Sequence, residues 1–309
     1  MDKEKTALRQ QLQQLLSLPV LVDEPMKDHT TWRIGGPVDF MLLPSSEQEI
    51  MDVMAFLYKH QLPYLVIGNG SNLLVSDLGL RGVVIKMGPA YAAATWRGGN
   101  VCAQAGMLMR TLALEAAERS LAGIEFAAGI PGSIGGAVRM NAGAYGNTIG
   151  EFVTKVTVIE YNGSRYEITA DELDFAYRYS KLFAVPAVVS TVHLSLPSGN
   201  KEESMAKIKE WLQLRSLKQP LEFPSCGSVF RNPDGDHAGR LVEVTGLRGL
   251  RKGGAMVSKK HGNFIVNIDR ATAEDVKSLI KEVQERVFQA HGVRLEPEVK
   301  VVGEFIQAK

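Results

Sequence analysis

Apolar positions in residues 3–17 (Leu8, Leu12, Leu15, Leu16) recur every three or four residues opposite Lys and Gln, the period of an amphipathic helix. Residues 21–36 show no period and read as a loop closed by Thr30-Thr31-Trp32-Arg33-Ile34-Gly35-Gly36. A strand is expected over 38–43. Ser46 and Glu49 have capping-box spacing for a helix to about His60. Short apolar runs at 64–67 and 83–87 predict strands, the first followed at once by Gly68-Asn69-Gly70-Ser71-Asn72. A strand at 101–105, a helix at 107–121, a hairpin (152–161 and 164–169) turning at Asn162-Gly163 and a strand at 188–196 follow. Pro197-Ser198-Gly199-Asn200 is the clearest linker. Beyond it the pattern predicts a charged helix at 201–218, a proline-bounded loop, a short helix at 237–244 and a strand at 264–267. A helix at 272–290, opened by a Thr272/Asp275 box, and a last strand over 298–305 complete the chain. The expected organisation is three units, residues 1–90, 91–198 and 201–309, each mixing helix and strand.

The composition narrows the class. At 309 residues the chain is long enough for about two or three small domains. A formal net charge of +1 gives no electrostatic case for nucleic acid or an acidic membrane surface. Two cysteines, Cys102 and Cys226, make no disulfide framework, and no run is apolar enough for a signal core or a span, so a cytoplasmic protein is expected. The six histidines are scattered, and no metal-ligand spacing appears.

Residues 123–146 stand out: seven of these twenty-four positions are glycine, interleaved with Ile124, Phe126, Ile130, Ile134, Val138 and Met140. Glycine lets backbone turn with positive φ and aim successive N–H groups at one spot, the donor nest that a diphosphate takes. The Gly68–Asn72 bend lacks the third glycine of a dinucleotide fingerprint and the lysine of a phosphate loop. Read with the second glycine-rich stretch, it becomes the other jaw of one site. Ser228, in Ser225-Cys226-Gly227-Ser228-Val229-Phe230-Arg231-Asn232-Pro233, reads locally as a serine-rich turn. Arg178, between Tyr177 and Tyr179 in a segment suited to burial, is placed either to pair with a carboxylate or to clamp an anionic substrate. A thiol enzyme using Cys226 with His261 is disfavoured, because nothing places the two together.

Taken together, three stretches closely resemble the UDP-N-acetylenolpyruvoylglucosamine reductase family. They are 66–74 (Val-Ile-Gly-Asn-Gly-Ser-Asn-Leu-Leu), 128–137 (Ala-Gly-Ile-Pro-Gly-Ser-Ile-Gly-Gly-Ala) and 226–233. The segments 177–180, 255–264 and 298–300 fall where the family's other motifs fall. The glycine motifs alone would indicate only the wider PCMH-type, vanillyl-alcohol-oxidase-like FAD fold. Too few residues separate Ser180 from the linker for the longer form's tyrosine loop, so the chain looks like the shorter form. The resemblance implies an α+β fold, a two-part FAD-binding module plus a smaller α+β substrate-binding domain whose C-terminal strand returns to the active site. It implies non-covalent FAD near Gly68, Asn69, Gly70, Ser71, Asn72, Gly129, Pro131, Gly132, Ser133, Gly135 and Gly136, with NADPH as co-substrate and a UDP-sugar as substrate. It further implies Arg178, Ser228 and Glu298 as catalytic residues, Arg178, Lys218 and Asn232 on the substrate, and Cys226 as structural; separately, a monomer is expected. From the residues themselves a flavin oxidase and a sugar-nucleotide-binding module without chemistry remain open.

Overall fold

The computed structural model describes residues 3–304. Met1, Asp2 and residues 305–309, including the end of the expected last strand at Phe305, lie outside them. The chain divides into two compact units. One holds the described residues up to Val22, Phe40–Asn69 and Gly82–Gln213; the other holds Asp23–Asp39, Gly70–Arg81 and the described residues from Leu214 on.

In the first unit the opening helix spans Lys3–Gln13 and stops earlier than its pattern implied. The Gln13 carboxamide turns back on the following chain: Nε2 donates to the carbonyls of Leu16 and Leu18, and Oε1 accepts from Val20 N–H. Helix Glu47–Lys59 is capped by Ser46 Oγ, which accepts from Glu49 N–H at 3.2 Å. The reciprocal half of the expected box is absent, because the Glu49 carboxylate accepts from Ser45 and Ser17 N–H instead. Strand Tyr64–Ile67 pairs in parallel with 83–86. Five antiparallel strands form the main sheet, in the order Arg165–Thr169, Val153–Glu160, Ala187–Ser195, Asn100–Gln104, Ala94–Arg97.

Helix Met109–Glu118 buries Met109, Leu112, Ala113, Ala116 and Ala117. The central glycine-rich stretch is not a loop throughout. It forms a 3-10 turn, Glu125–Gly129, and a short helix, Ile134–Met140, with Ile124, Phe126, Ile134 and Val138 at most 1% exposed. That burial follows from its apolar residues, of which Ile124, Phe126, Ile134 and Val138 lie in the unit's core.

The second unit has its own core around Trp32, Leu74, Val229, Phe230, Leu241, Val257, Ile265 and Leu279. Its long helix, Ala273–His291, opens on the complete Thr272/Asp275 capping box and ends at Gly292 with φ 69°. Asp77 reinforces that helix start, its carboxylate accepting from Ala273 N–H at 2.9 Å. Residues 21–36, expected as loop, contain strand Leu21–Pro25 and a 3-10 turn, Met26–His29. Trp32 is fully buried, and its indole N–H donates to Ile265 O at 2.8 Å.

Helix Lys201–Lys218 lies where expected but buries only Ser204 and Ile208, a narrower face than an amphipathic reading implies. Among the described residues no helix is long and apolar enough to cross a membrane.

Replacing Trp32 by Phe keeps most of the buried ring but leaves Ile265 O without that donor. Equilibrium denaturation should show a loss of about 1–3 kcal/mol.

Candidate active site

Three segments of the second unit lie side by side. Glu298 N–H donates to Val229 O at 2.7 Å, and Arg231 N–H to Glu296 O at 2.9 Å, so 229–231 and 296–298 pair antiparallel around a Phe230–Pro297 bridge. Past a bend at Val299 the same stretch continues as strand Lys300–Val302, parallel to Leu73–Val75. Glu298 therefore precedes the last strand rather than opening it, and it is half-buried rather than deeply sequestered. Backbone hydrogen bonds thus bring together the neighbourhoods of two expected catalytic residues, Ser228 and Glu298.

Ser228 is presented by a turn. Gly227 has φ 82°, a left-handed conformation that glycine adopts without steric cost. Immediately after it, Asn263 clamps the chain. Its backbone O accepts from Val229 N–H, its Oδ1 from Phe230 N–H at 2.9 Å, and its Nδ2 donates to Phe230 O at 2.8 Å. Asn263 lies in the segment 255–264 that the resemblance marks, but no spacing singles out the residue itself. Its signal is structural: a buried carboxamide, 4% exposed, spent on both backbone groups of one residue, Phe230.

Ser228 and Asn232 line a cavity of about 310 Å³ with His237, Arg240, Glu243, Arg248 and His261 among its walls. Asn232 Oδ1 accepts from Ala238 N–H and so caps the helix Ala238–Val244. Burial pushes His261 below its ordinary pKa and the Arg248 charge adds to this, against the opposing charge of Glu243. Its Nδ1 accepts from Asn263 N–H at 3.1 Å, which also favours the neutral ring. Lys218 is the last, exposed residue of its helix and is not among the lining residues. Near it, Lys260 Nζ donates to Ser216 O at 2.6 Å.

Cys226 is buried, and its thiol pKa is driven up first by burial and then by the Glu298 charge. A thiol so suppressed is inert, in keeping with a structural role.

In the first unit Arg178 sits at the tip of a tight turn in which Ala176 and Tyr179 exchange both backbone hydrogen bonds at 3.1 Å. Its φ is 55°, a left-handed conformation that costs a non-glycine residue about 1–2 kcal/mol. The flanking tyrosines are not buried as expected: Tyr177 is 55% and Tyr179 37% exposed. The guanidinium lies over the Tyr177 ring, 5.2 Å from its centroid, and reaches Gly143 O at 3.5 Å.

The two glycine stretches meet within the first unit. Asn69 Nδ2 donates to Pro131 O at 2.6 Å, and a Cβ on Gly68 would fall 2.0 Å from Ser133 Oγ. In the second unit a Cβ on Gly70, at φ 63°, would fall 2.0 Å from His29 O. The expected nest is only partly realised. Gly129, Gly132, Gly135 and Gly136 are not in left-handed conformations. Ile134 and Gly135 spend their N–H groups on Met107 O and Ala105 O.

Gly135 instead permits close packing, since a Cβ there would lie 2.8 Å from Ala105 Cβ. Gly136 is exposed, and a Cβ there would meet only Ser133 Oγ, at 3.7 Å. The bend Gly68–Asn69 against Pro131–Ser133, narrow enough that a methyl group would fill it, is a cradle that fits a phosphate-bearing cofactor.

Comparison with known proteins agrees. Residues 38–169 match the model of an FAD binding domain, which puts the chain among FAD-binding α+β proteins. Residues 219–302 match that of the UDP-N-acetylenolpyruvoylglucosamine reductase C-terminal domain. The UDP-N-acetylenolpyruvoylglucosamine reductase of Carboxydothermus hydrogenoformans is 45% identical over 98% of this chain and 100% of its own length. That of Enterococcus faecalis is 42% identical over 95% of this chain and 97% of its own. The crystal structure of UDP-N-acetylenolpyruvylglucosamine reductase from Thermus caldophilus superposes with a TM-score of 0.79 at 37% identity, covering 91% of this chain and 97% of that one. The chain belongs to the UDP-N-acetylenolpyruvoylglucosamine reductase family.

Two substitutions test this geometry. Gly68→Ala should weaken FAD binding at least about tenfold, about 1.4 kcal/mol, read by flavin fluorescence titration. Asn263→Ala should cost about 2–4 kcal/mol in urea unfolding, because it strands a buried N–H and C=O of Phe230.

Proposed function

We propose that this chain uses NADPH and bound FAD to reduce UDP-N-acetylglucosamine enolpyruvate to UDP-N-acetylmuramate, a step of peptidoglycan precursor synthesis. Residues 1–90 and 91–198 form the cofactor module and 201–309 the substrate domain, in a cytoplasmic monomer. Gly68–Asn72, Gly129 and Pro131–Gly136 hold the FAD, without a covalent link. The chemistry that FAD supplies when bound is delivery of hydride, drawn from NADPH, to the terminal vinyl carbon of the substrate.

The protein's own residues manage the charge and the proton that this chemistry demands. As the vinyl carbon gains hydride, negative charge grows on the adjoining carbon and its carboxylate. Arg178 donates from a planar guanidinium to that carboxylate, a fork that lysine does not reproduce. Glu298 in its protonated form donates a second hydrogen bond. Ser228 Oγ–H then protonates the carbon next to the carboxylate. An alcohol is a weak acid in water, but an enolate carbon is a strong enough base to take its proton. Lys218 and Asn232 bind the substrate, Lys218 at its phosphates.

The observation that carries this reading is the 2.7 Å bond from Glu298 N–H to Val229 O, which ties the expected acid and the expected carboxylate to one pair of strands. Anaerobic half-reactions test it. Ser228→Ala should bind FAD and be bleached by NADPH like the parent protein. Its reoxidation by the enolpyruvyl sugar nucleotide should fall by about 10²–10⁴-fold. Unchanged reoxidation would remove Ser228 from the mechanism, and rapid reoxidation by air in place of the sugar nucleotide would favour an oxidase. Gel filtration tests the monomer.

A further inference from the structure

Asn72 belongs to the bend assigned to the cofactor, yet its side chain is committed elsewhere. Its Nδ2 donates to Glu298 O at 3.1 Å, and its own carbonyl accepts from Lys300 N–H at 3.1 Å. These two bonds bracket Val299, whose side chain is 5% exposed. They stand immediately ahead of the parallel ladder that pairs Lys300 with Leu73, Val301 with Leu74 and Val302 with Val75.

Both main-chain groups of Glu298 are thereby held. The N–H is fixed on Val229 O at 2.7 Å, and the C=O is fixed by the Asn72 carboxamide. With both peptide groups fixed, the Cα–Cβ direction of Glu298 is fixed as well. Strand side chains alternate between faces, so a slip of one residue at this point would turn the carboxylate to the opposite face. The ladder beyond Lys300 cannot prevent that alone, since Glu298 lies outside it.

We propose that Asn72 is a positioning residue for the catalytic carboxylate: its carboxamide sets the orientation of Glu298, and only its backbone belongs to the cofactor bend. The proposal rests on the reading of Glu298 as catalytic. It gives the Gly-Asn-Gly-Ser-Asn bend a second task. Gly68 and Asn69 contact the other glycine stretch, and Asn72 aligns the residue that meets the substrate.

A double-mutant cycle tests it, using full-length protein with Asn72→Ala, Glu298→Gln and both together. FAD affinity is read by fluorescence titration, melting temperature with and without FAD, and reoxidation of the NADPH-reduced protein by the enolpyruvyl sugar nucleotide. Asn72→Ala should hold FAD within about threefold of the parent and slow reoxidation roughly 10²-fold, the scale of a small misplacement at a reacting centre. In the Glu298→Gln background it should slow reoxidation no further, because the group it orients is already gone.

Asn72→Ser, which also cannot span to Glu298 O, gives the same result and replaces the alanine variant if that does not fold. Loss of FAD affinity equal to the loss of rate, or multiplicative effects in the double variant, would overturn the proposal and make the Asn72 side chain a cofactor ligand. Normal reoxidation in Asn72→Ala with slow reoxidation in Glu298→Gln overturns the positioning role alone. Normal reoxidation in Glu298→Gln overturns the catalytic reading and the positioning role together.

Discussion

A single peptide stretch, 296–302, is held by two partners in succession. Its first part bonds to 229–231 through Arg231 N–H and Glu298 N–H, and its last part, past a bend at Val299, runs parallel to Leu73–Val75. Much of what the second unit does depends on that arrangement. Hydrogen bonds between strands fix register as well as distance, so the residue after Gly227 and the residue before Val299 cannot drift independently. The proposed roles of Ser228 as acid and Glu298 as a proton-carrying carboxylate would need such mutual constraint. Neither would be useful on a loop that moves by an ångström.

Asparagine does the remaining work of alignment. Asn263 holds both backbone groups of Phe230, and Asn72 holds the carbonyl of Glu298. A carboxamide offers a donor and an acceptor in one plane and carries no charge that would disturb an anionic substrate. The buried core beneath, from Trp32 to Leu279, supplies rigidity, and Cys226 contributes to it as an uncharged small hydrophobe.

Local signals were legible where the physics is local. The Thr272/Asp275 box, the Asn162-Gly163 turn and helix 201–218 were each readable from adjacent residues. Strands that depend on distant partners were not. Strand Leu21–Pro25 and strand Leu73–Val75, whose partner Lys300–Val302 lies far along the chain, carry little periodicity of their own.

The glycines illustrate the same limit. Composition showed that backbone must come close to something at 123–146. It did not show that Gly135 meets Ala105, or that two N–H groups expected for a ligand are used inside the protein. Ser228 looked ordinary in isolation, a serine-rich turn, Glu298 was only the start of the last expected strand, and resemblance to a family singled them out. Their common backbone pairing is a property of the fold that no short window of sequence contains.

Amide hydrogen exchange on the FAD-bound protein tests that shared constraint most directly. If 296–302 binds both neighbours as one unit, the N–H groups of Arg231, Glu298, Lys300 and Ser76 will open with one common free energy, as members of a single cooperative element. Exchange of Lys300 and Ser76 at a markedly lower free energy than Arg231 and Glu298 would show two independent contacts, and would contradict the account.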